Sequence, residues 1–219
     1  MEIVKREKLT YCEFMTGAIL AGGKSSRFGE NKALFPIHGI PIIKKIIDIL
    51  HKNTEELFIV ARDAAPYKSF GVKVIKDIYP GKGPLAGLHA SLLNARSDRV
   101  FLIACDMPFL SDKLVAHMRS IRSSAPVVVP LSQKGLEPLH AIYKKELVSI
   151  VEKRILSGNL SLKGLVESVP HTIVRLDELP QNFFTELSVL NINTKLDLEK
   201  ATQLYDKCVS DNEERISNS

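Results

Sequence analysis

The chain has 219 residues, of which 45% are hydrophobic and 25% are charged, and its formal net charge is +5. This length and balance predict one globular domain that buries about 70% of its unfolded surface, and they exclude a repeat or low-complexity protein. The mild basic excess suits an anionic ligand, whereas the basic and aromatic stripe of a nucleic-acid binder is absent, and so is Trp.

The cysteines and the apolar runs of the sequence indicate the cellular compartment. Cys12, Cys105 and Cys208 are scattered, which argues against a disulfide framework or a zinc site and favours a reducing compartment. No apolar run resembles a signal peptide or reaches the ~20 residues of a membrane span. We therefore expect a cytoplasmic protein with no nucleic-acid or membrane partner. A leader over residues 1–15, one domain over 16–207 and a polar, disordered tail over 208–219 are predicted.

The first predicted strand, residues 18–21, ends abruptly at Gly22 and Gly23. Glycines permit a sharp turn there and a close approach of backbone N–H groups to a ligand. Arg27 and Lys32 follow, and backbone donors combined with fixed cations suit a polyphosphate. The segment therefore predicts a site that holds a nucleotide by its phosphates and base edge, with a plain structural turn as the alternative.

Two familiar nucleotide motifs fail on their spacing. A P-loop has four residues between its first glycine and Gly-Lys-Ser/Thr, but five separate Gly17 from Gly23. The run from Gly81 to Gly87 is one residue too long for a dinucleotide fingerprint. Spacing therefore supports neither a P-loop ATPase nor an NAD enzyme.

Beyond the glycine-rich run, helices and strands alternate. Pro41 is expected to open a helix, because its missing N–H would be unpaired there anyway, and Ser111 is expected to cap another. The alternation predicts an α/β fold of three layers, Rossmann-like, with a mostly parallel sheet and helices on both faces. The later predicted strands cover residues 57–61, 72–75, 99–104, 126–129, 138–143 and 189–194, and predicted helices begin near residues 41, 85, 111, 144 and 196; residues 157–188 are less regular.

Polar residues directly follow several predicted strands. Ligands of an open parallel sheet bind outside its carboxyl ends, so Asp77, Asp106, Asn191 and Asn193 are expected to share one edge with the glycine-rich run. Mg²⁺ takes one or two carboxylates together with phosphate oxygens and waters, and Asp106 is its candidate ligand. A single Asp after a strand can instead be a turn or cap residue. His140 is expected to face the core or contact substrate rather than hold a metal.

Five blocks of sequence, in order, resemble one known family. The run 20–32 is similar to the nucleotidyltransferase signature LAGGxxxRMGxxK. Four later blocks narrow the resemblance to the molybdenum cofactor guanylyltransferases, which are MobA-like nucleotidyltransferases, over residues 17 to about 205. These blocks are Gly83-Pro-Leu-Ala-Gly87, Cys105-Asp-Met-Pro-Phe-Leu110, Glu137-Pro-Leu-His140 and Asn191-Ile-Asn-Thr194.

The resemblance implies transfer of GMP from GTP to molybdopterin-bound molybdenum, with Mg²⁺ as cofactor and pyrophosphate as the second product. Arg27, Lys32 and Mg²⁺ on Asp106 would then neutralise the charge of the transition state. Asn31 stands where the family usually has Asp, which leaves the orientation of Lys32 open. The nucleotide contacts that the resemblance implies are Leu20, Ala21, Gly22, Gly23, Lys32, Asp77 and Asp106. The second substrate is then expected to be held by what remains at the same sheet edge, namely Pro138, His140, Asn191 and Asn193. The alternative is that Asn193 or Thr194 only caps the helix that begins near residue 196.

Alternatives remain within this class and outside it. One alternative is a cytidylyltransferase for the same cofactor or a sugar-phosphate nucleotidyltransferase. Only the four later blocks distinguish these enzymes from a guanylyltransferase. A non-catalytic carrier of GTP or pterin would keep the glycines but need not keep Asp106. The joint presence of Arg27, Lys32 and Asp106 favours catalysis. Transient contact with enzymes that load or receive the cofactor is compatible with this activity.

Overall fold

The fold was obtained as a computed structural model that describes residues 14–22, 31–183 and 185–217. Its main strands are β1 (Met15–Leu20), β4 (Glu56–Val60), β5 (Lys73–Ile75), β6 (Arg99–Ala104), β7 (Val127–Ser132), β8 (Gly135–Leu136), β9 (His140–Lys144) and β10 (His171–Arg175). Two short strands, β2 (Pro36–Ile37) and β3 (Ile40–Pro41), pair with each other separately.

The helices of the described residues are α1 (Ile42–Asn53), α2 (Pro84–Asn94), α3 (Asp112–Ser120), α4 (Val148–Leu156), α5 (Leu162–Glu167), α6 (Thr185–Ser188) and α7 (Lys195–Ser217). As predicted, the Ser111 hydroxyl caps α3 by accepting a hydrogen bond from the Leu114 N–H at 3.3 Å. Within the described part of the chain, no helix is both long and apolar enough to cross a membrane.

Side chains alternate between two cores, one on each face of the sheet. Ile19 of β1 and Ile103 of β6 pack on the face that α1 and α3 cover. Leu20 and Leu102 pack on the opposite face, with α2, α4 and α5. Both faces of these strands are therefore buried, which explains why β1 and β6 are apolar along their whole length. The predicted three-layer α/β fold is confirmed.

The strand order places its topological switch point beside β1, and we call the carboxyl edge of the sheet at this point the crevice. In the described residues the order is β10-β7-β9-β6-β1-β4-β5, with β8 beside β7. The chain passes from β1 to β4 and β5 on one side, then returns to β6 on the other side. β1, β4, β5 and β6 are parallel, and their carboxyl ends meet at the edge where such sheets bind ligands. β9 is antiparallel, so its amino end reaches this edge too.

The predicted elements and the structure differ at residues 189–194 and at β10. No strand forms over residues 189–194, because the apolar Val189 and Ile192 pack into the core instead of joining the sheet. β10 was not predicted, since this edge strand is only partly buried and lacks a clear apolar pattern. The helix predicted to open at Pro41 is confirmed, since Pro41 ends β3 and is the N-cap residue of α1.

The chain ends test the predicted leader and tail only in part. α7 continues to Ser217, where a disordered tail was expected, because a polar composition does not by itself prevent a helix. The predicted leader lies outside the described residues up to residue 13, and β1 begins at Met15. The division into leader, domain and tail otherwise stays a prediction.

Candidate active site

Lys32 and Asp106 form an ion pair at the carboxyl edge, although they are 74 residues apart in the sequence. Asp106 lies in the turn that ends β6. Lys32 begins a 3₁₀ turn, Lys32–Leu34, in the segment after β1, the strand beside β6. The Nζ and Oδ2 atoms are 3.4 Å apart. The side chains are 11% and 28% exposed, respectively, so a ligand in the crevice can reach both. The structure thus places the two side chains in contact at this edge, and their functional roles stay predictions.

Asp106 has a further feature that suits a cation. Its second carboxylate oxygen, Oδ1, is buried and has no hydrogen-bond partner among the described residues. Burial of such an oxygen costs free energy unless a hydrogen-bond donor or a cation contacts it. No group of three His, Cys, Asp or Glu side chains in the described ranges could hold a metal alone. Asp106 therefore fits a divalent cation whose remaining ligands come from phosphates and water.

Cys105 lies beside this pair but is unsuited to be a nucleophile. Burial and the neighbouring Asp106 carboxylate raise the pKa of the Cys105 thiol to about 12, and the opposing effect of Lys32 is smaller. The thiol is therefore protonated at neutral pH, whereas the thiolate is the reactive form. The structure therefore gives no support to a covalent intermediate on Cys105.

Backbone groups at the end of β1 are already engaged. The Leu20 carbonyl accepts a hydrogen bond from the Cys105 N–H at 3.0 Å. The Ala21 N–H donates to the Val60 carbonyl at 3.0 Å, and the Ala21 carbonyl accepts from the Tyr67 hydroxyl at 3.1 Å. These bonds fix the strand end rigidly. They also leave Leu20 and Ala21 with less capacity to read a base than the sequence suggests.

Gly22 is the first residue after the end of β1 that has open space around it. It is exposed, and a Cβ atom there would meet nothing closer than the Val60 carbonyl oxygen at 3.9 Å. Recognition of a nucleotide by close backbone approach is therefore expected from Gly22 onward. The predicted contributions of Gly23 and Arg27 lie outside the described residues and stay predictions.

Gly87 of α2 packs against the end of β1 on the face of the sheet opposite α1 and α3. Sequence reasoning did not assign this role. A Cβ atom on Gly87 would lie 2.6 Å from Cδ2 of Leu20, well inside van der Waals contact. The absent side chain thus lets α2 pack directly against the last residue of β1. The glycine-containing block 83–87 was a signal for this contact, but its partner could not be read from the sequence.

Asp77 lies at the same edge but away from the ion pair. It is half-buried and follows β5, which is three strand positions from β6. At the usual strand spacing this places it about 14 Å from β6. Asp77 thus lies at a different part of this edge from Asp106, and its contact with the nucleotide stays a prediction.

Asn191 and Asn193 are exposed and flank a residue that is tied to the ion pair. The Ile192 N–H donates a hydrogen bond to the Asp106 backbone carbonyl at 2.9 Å. The structure therefore brings both asparagines beside Asp106, although no strand carries them there. Pro138 is half-buried near the amino end of β9, and its carbonyl accepts from the Tyr143 hydroxyl at 2.7 Å.

The His140 side chain lies in the core rather than in the crevice at the carboxyl edge of the sheet. Its side chain is completely buried, and its ring packs edge-on against Phe101 with centroids 5.2 Å apart. Neither ring nitrogen has a hydrogen-bond partner within the described residues, and burial lowers the pKa of His140 to about 3. This favours the core alternative, since a pterin contact through this ring would require the core to open.

Comparisons with known proteins identify the family of this chain. Residues 17–172 match the family described as the MobA-like NTP transferase domain. A probable molybdenum cofactor guanylyltransferase of Carboxydothermus hydrogenoformans is 36% identical over 192 residues, covering 87% of this chain and 96% of that protein. A molybdenum cofactor guanylyltransferase of Desulfosudis oleivorans is 32% identical over 189 residues, covering 85% and 94%.

A solved structure shares the fold. The molybdopterin-guanine dinucleotide biosynthesis protein A of Archaeoglobus fulgidus superimposes with a TM-score of 0.75 at 25% identity. The match covers 88% of this chain and 100% of that one. Because the family match spans most of the chain and includes both Lys32 and Asp106, the chain belongs to the MobA-like NTP transferase family.

Proposed function

We propose that this protein transfers GMP from GTP to molybdopterin-bound molybdenum, forming the guanine dinucleotide cofactor and pyrophosphate. The observation that carries the proposal is the Lys32–Asp106 pair at the crevice beside β1, with one buried carboxylate oxygen still unsatisfied. Such a pair can bind both the phosphates of a nucleotide and the cation that accompanies them. The relatives named molybdenum cofactor guanylyltransferase support the choice of substrates.

Each residue of the pair has a distinct task. The Lys32 ammonium group holds a phosphate oxygen of GTP, and the Asp106 carboxylate holds Mg²⁺. The bound Mg²⁺ supplies charge neutralisation on the phosphates. Arg27, which the sequence places between the glycines and Lys32, adds a second positive charge. Position and charge are what such a transfer mainly needs from a protein.

The transfer itself proceeds in line. An oxygen of the pterin's terminal phosphate bonds to the α-phosphorus of GTP, while the bond from that phosphorus to the pyrophosphate oxygen breaks. The attacking phosphate is already ionised at pH 7, so no general base is required. This agrees with a site in which the nearby thiol of Cys105 stays protonated.

The second substrate is assigned to Asn191 and Asn193. A pterin ring edge presents both donors and acceptors, which an amide side chain can match. Both residues are exposed, and the bond between Ile192 and Asp106 holds them at the site. Delivery of the finished cofactor, in the cytoplasm, implies transient contact with the enzymes that receive it.

The nucleotide preference tests the proposal against the cytidylyl alternative. Titration calorimetry with Mg²⁺ is expected to give tighter binding of GTP than of CTP or ATP. Tighter binding of CTP would replace the guanylyl assignment with the cytidylyl one. Pyrophosphate release from GTP and Mo-molybdopterin separates an enzyme from a carrier, and its absence would overturn the catalytic assignment.

Substitution of Asp106 tests the site. Asp106→Asn keeps the shape of the side chain but removes the charge that holds the cation, so kcat is expected to fall about 10²- to 10³-fold, or about 3–4 kcal/mol of barrier. The melting temperature should stay near that of the wild type. Asp48→Asn, on the exposed face of α1 beside Lys44, is the control and should keep full activity. A near-normal rate of Asp106→Asn at saturating Mg²⁺ would remove the metal role.

A further inference from the structure

Tyr67 contacts both segments that border the glycine-rich run, although it belongs to neither. It lies in the 3₁₀ turn Ala65–Phe70, between β4 and β5, and is 2% exposed. Its hydroxyl donates to the Ala21 carbonyl at 3.1 Å and accepts from Nδ2 of Asn31 at 3.1 Å. One buried oxygen thus connects the end of β1 to the residue that precedes Lys32.

The direction of these hydrogen bonds follows from the position of the Asn31 amide. Oδ1 of Asn31 accepts from the Ala33 N–H at 3.2 Å and lies farther from the Tyr67 hydroxyl, at 3.4 Å. The amide nitrogen therefore faces Tyr67 as a donor. The hydroxyl proton is consequently available for the Ala21 carbonyl, which is the arrangement the distances show.

Asn31 transmits this contact to the ion pair. It is the N-cap of the 3₁₀ turn Lys32–Leu34, so the position of Asn31 determines the position of the first residue of that turn, Lys32. An aspartate, usual in the family at this position, could accept from Ala33 but could not donate to the phenol. The Asn31 amide does both. Burial raises the pKa of Tyr67, so the hydroxyl remains a neutral donor at ordinary pH.

We propose that Tyr67 is a positioning residue of the nucleotide site, acting through Asn31 on Lys32. It touches no reacting atom. Its hydroxyl holds the first residue after β1 and the cap of the Lys32 turn at a fixed separation, so that Lys32 meets the phosphates beside Asp106. The inference rests on the proposed role of Lys32 as a phosphate ligand.

The test removes the hydroxyl and keeps the ring. In Tyr67→Phe, the affinity for GTP with Mg²⁺ is expected to fall about three- to tenfold, the effect of one neutral hydrogen bond. The KM for GTP should rise, while the KM for Mo-molybdopterin stays unchanged. Ser97→Ala is the matched control, since it removes a buried hydroxyl bonded to Thr16 and Arg99 at the opposite end of the sheet. It should lower the melting temperature comparably without changing GTP affinity.

A double-mutant cycle tests the route through Asn31. The loss of GTP affinity in Tyr67→Phe combined with Asn31→Ala should be no greater than the larger single loss, because both remove the same connection. Additive losses would overturn the proposal, as would a GTP affinity of Tyr67→Phe equal to that of Ser97→Ala. If Tyr67→Phe fails to fold, Asn31→Ala alone must show the GTP-specific loss.

Failure of the proposed function gives a different result. A wild-type protein that prefers CTP overturns the guanylyl assignment, and the same comparison of variants is then made with CTP. A wild-type protein that binds nucleotide but releases no pyrophosphate overturns catalysis, and the binding titrations still decide the role of Tyr67.

Discussion

Two glycines near the end of β1 differ in the space around them, and this difference predicts different effects of the same substitution. A Cβ atom on Gly22 has no close neighbour, whereas one on Gly87 would lie 2.6 Å from the Leu20 side chain. Gly22 faces the crevice and Gly87 faces the core. Substitution of each by Ala therefore separates contact with the ligand from packing of the strand end.

Gly22→Ala is expected to leave the melting temperature unchanged and to weaken GTP binding, because the new methyl group occupies the space of the ligand. Gly87→Ala gains about 1 kcal/mol of helix propensity but forces overpacking that costs about 1–3 kcal/mol. A net loss of stability of up to about 2 kcal/mol follows. Chemical denaturation and GTP titration measure both quantities. Unchanged GTP affinity in Gly22→Ala would contradict a close backbone contact at this residue.

At the scale of elements, the start of α7 is a reciprocal cap rather than the end of a strand. The Thr194 hydroxyl accepts from the Asp197 N–H at 3.0 Å, and Oδ2 of Asp197 accepts from the N–H groups of Thr194 and Asn193. The cap uses the backbone of Asn193 and leaves its side chain exposed. Capping is thus the task of Thr194, and the asparagine amides are available for a substrate.

Thr194→Ala should lower the free energy of unfolding by about 1 kcal/mol through loss of the cap, with normal affinity for both substrates. Asn191→Ala and Asn193→Ala should do the reverse, raising the KM for Mo-molybdopterin at unchanged stability. Thermal melts and steady-state kinetics on all three variants make the comparison. Weakened GTP affinity with normal pterin affinity in the asparagine variants would contradict their assignment.

For the whole molecule, the buried His140 makes stability depend on pH. Its pKa is about 3 in the folded protein and about 6.5 in an unfolded chain, so between these values only the unfolded state binds the proton. Its contribution to stability is therefore complete above pH 6.5 and is lost as the pH falls toward 3. The expected slope is about 1.4 kcal/mol per pH unit within this window.

His140→Leu is expected to remove this slope and to be at least as stable as the wild type at pH 7, because it replaces a buried ring without polar partners. Urea denaturation at pH 6.5 and at pH 4.5 measures the free energy of unfolding of both proteins. The difference in this free energy between His140→Leu and the wild type should be larger at pH 4.5 than at pH 6.5 by about 2–3 kcal/mol. His51→Gln, on the exposed side of α1, is the control and should follow the wild type. Parallel curves for His140→Leu and wild type would contradict burial of the ring.

The amino-acid sequence by itself determined the layers and the edge that carries the site. The strand predicted over residues 99–104 coincides with β6, because a strand buried on both faces has an uninterrupted apolar pattern that is local in sequence. The polar residues that follow β1, β5 and β6 were placed at one edge by the parallel topology alone. The family resemblance added the roles expected of Lys32 and Asp106.

Only the tertiary structure decided which of those residues contact each other and which are buried. The hydroxyl of Tyr67 meets Ala21 across 46 residues of chain, and no local pattern marks a tyrosine in a turn for that task. Likewise, Ile192 reaches Asp106 without a strand, and His140 turns toward Phe101 instead of the crevice. Apolar periodicity reports how much of an element is buried, whereas the partner of a side chain depends on the packing of segments distant in sequence.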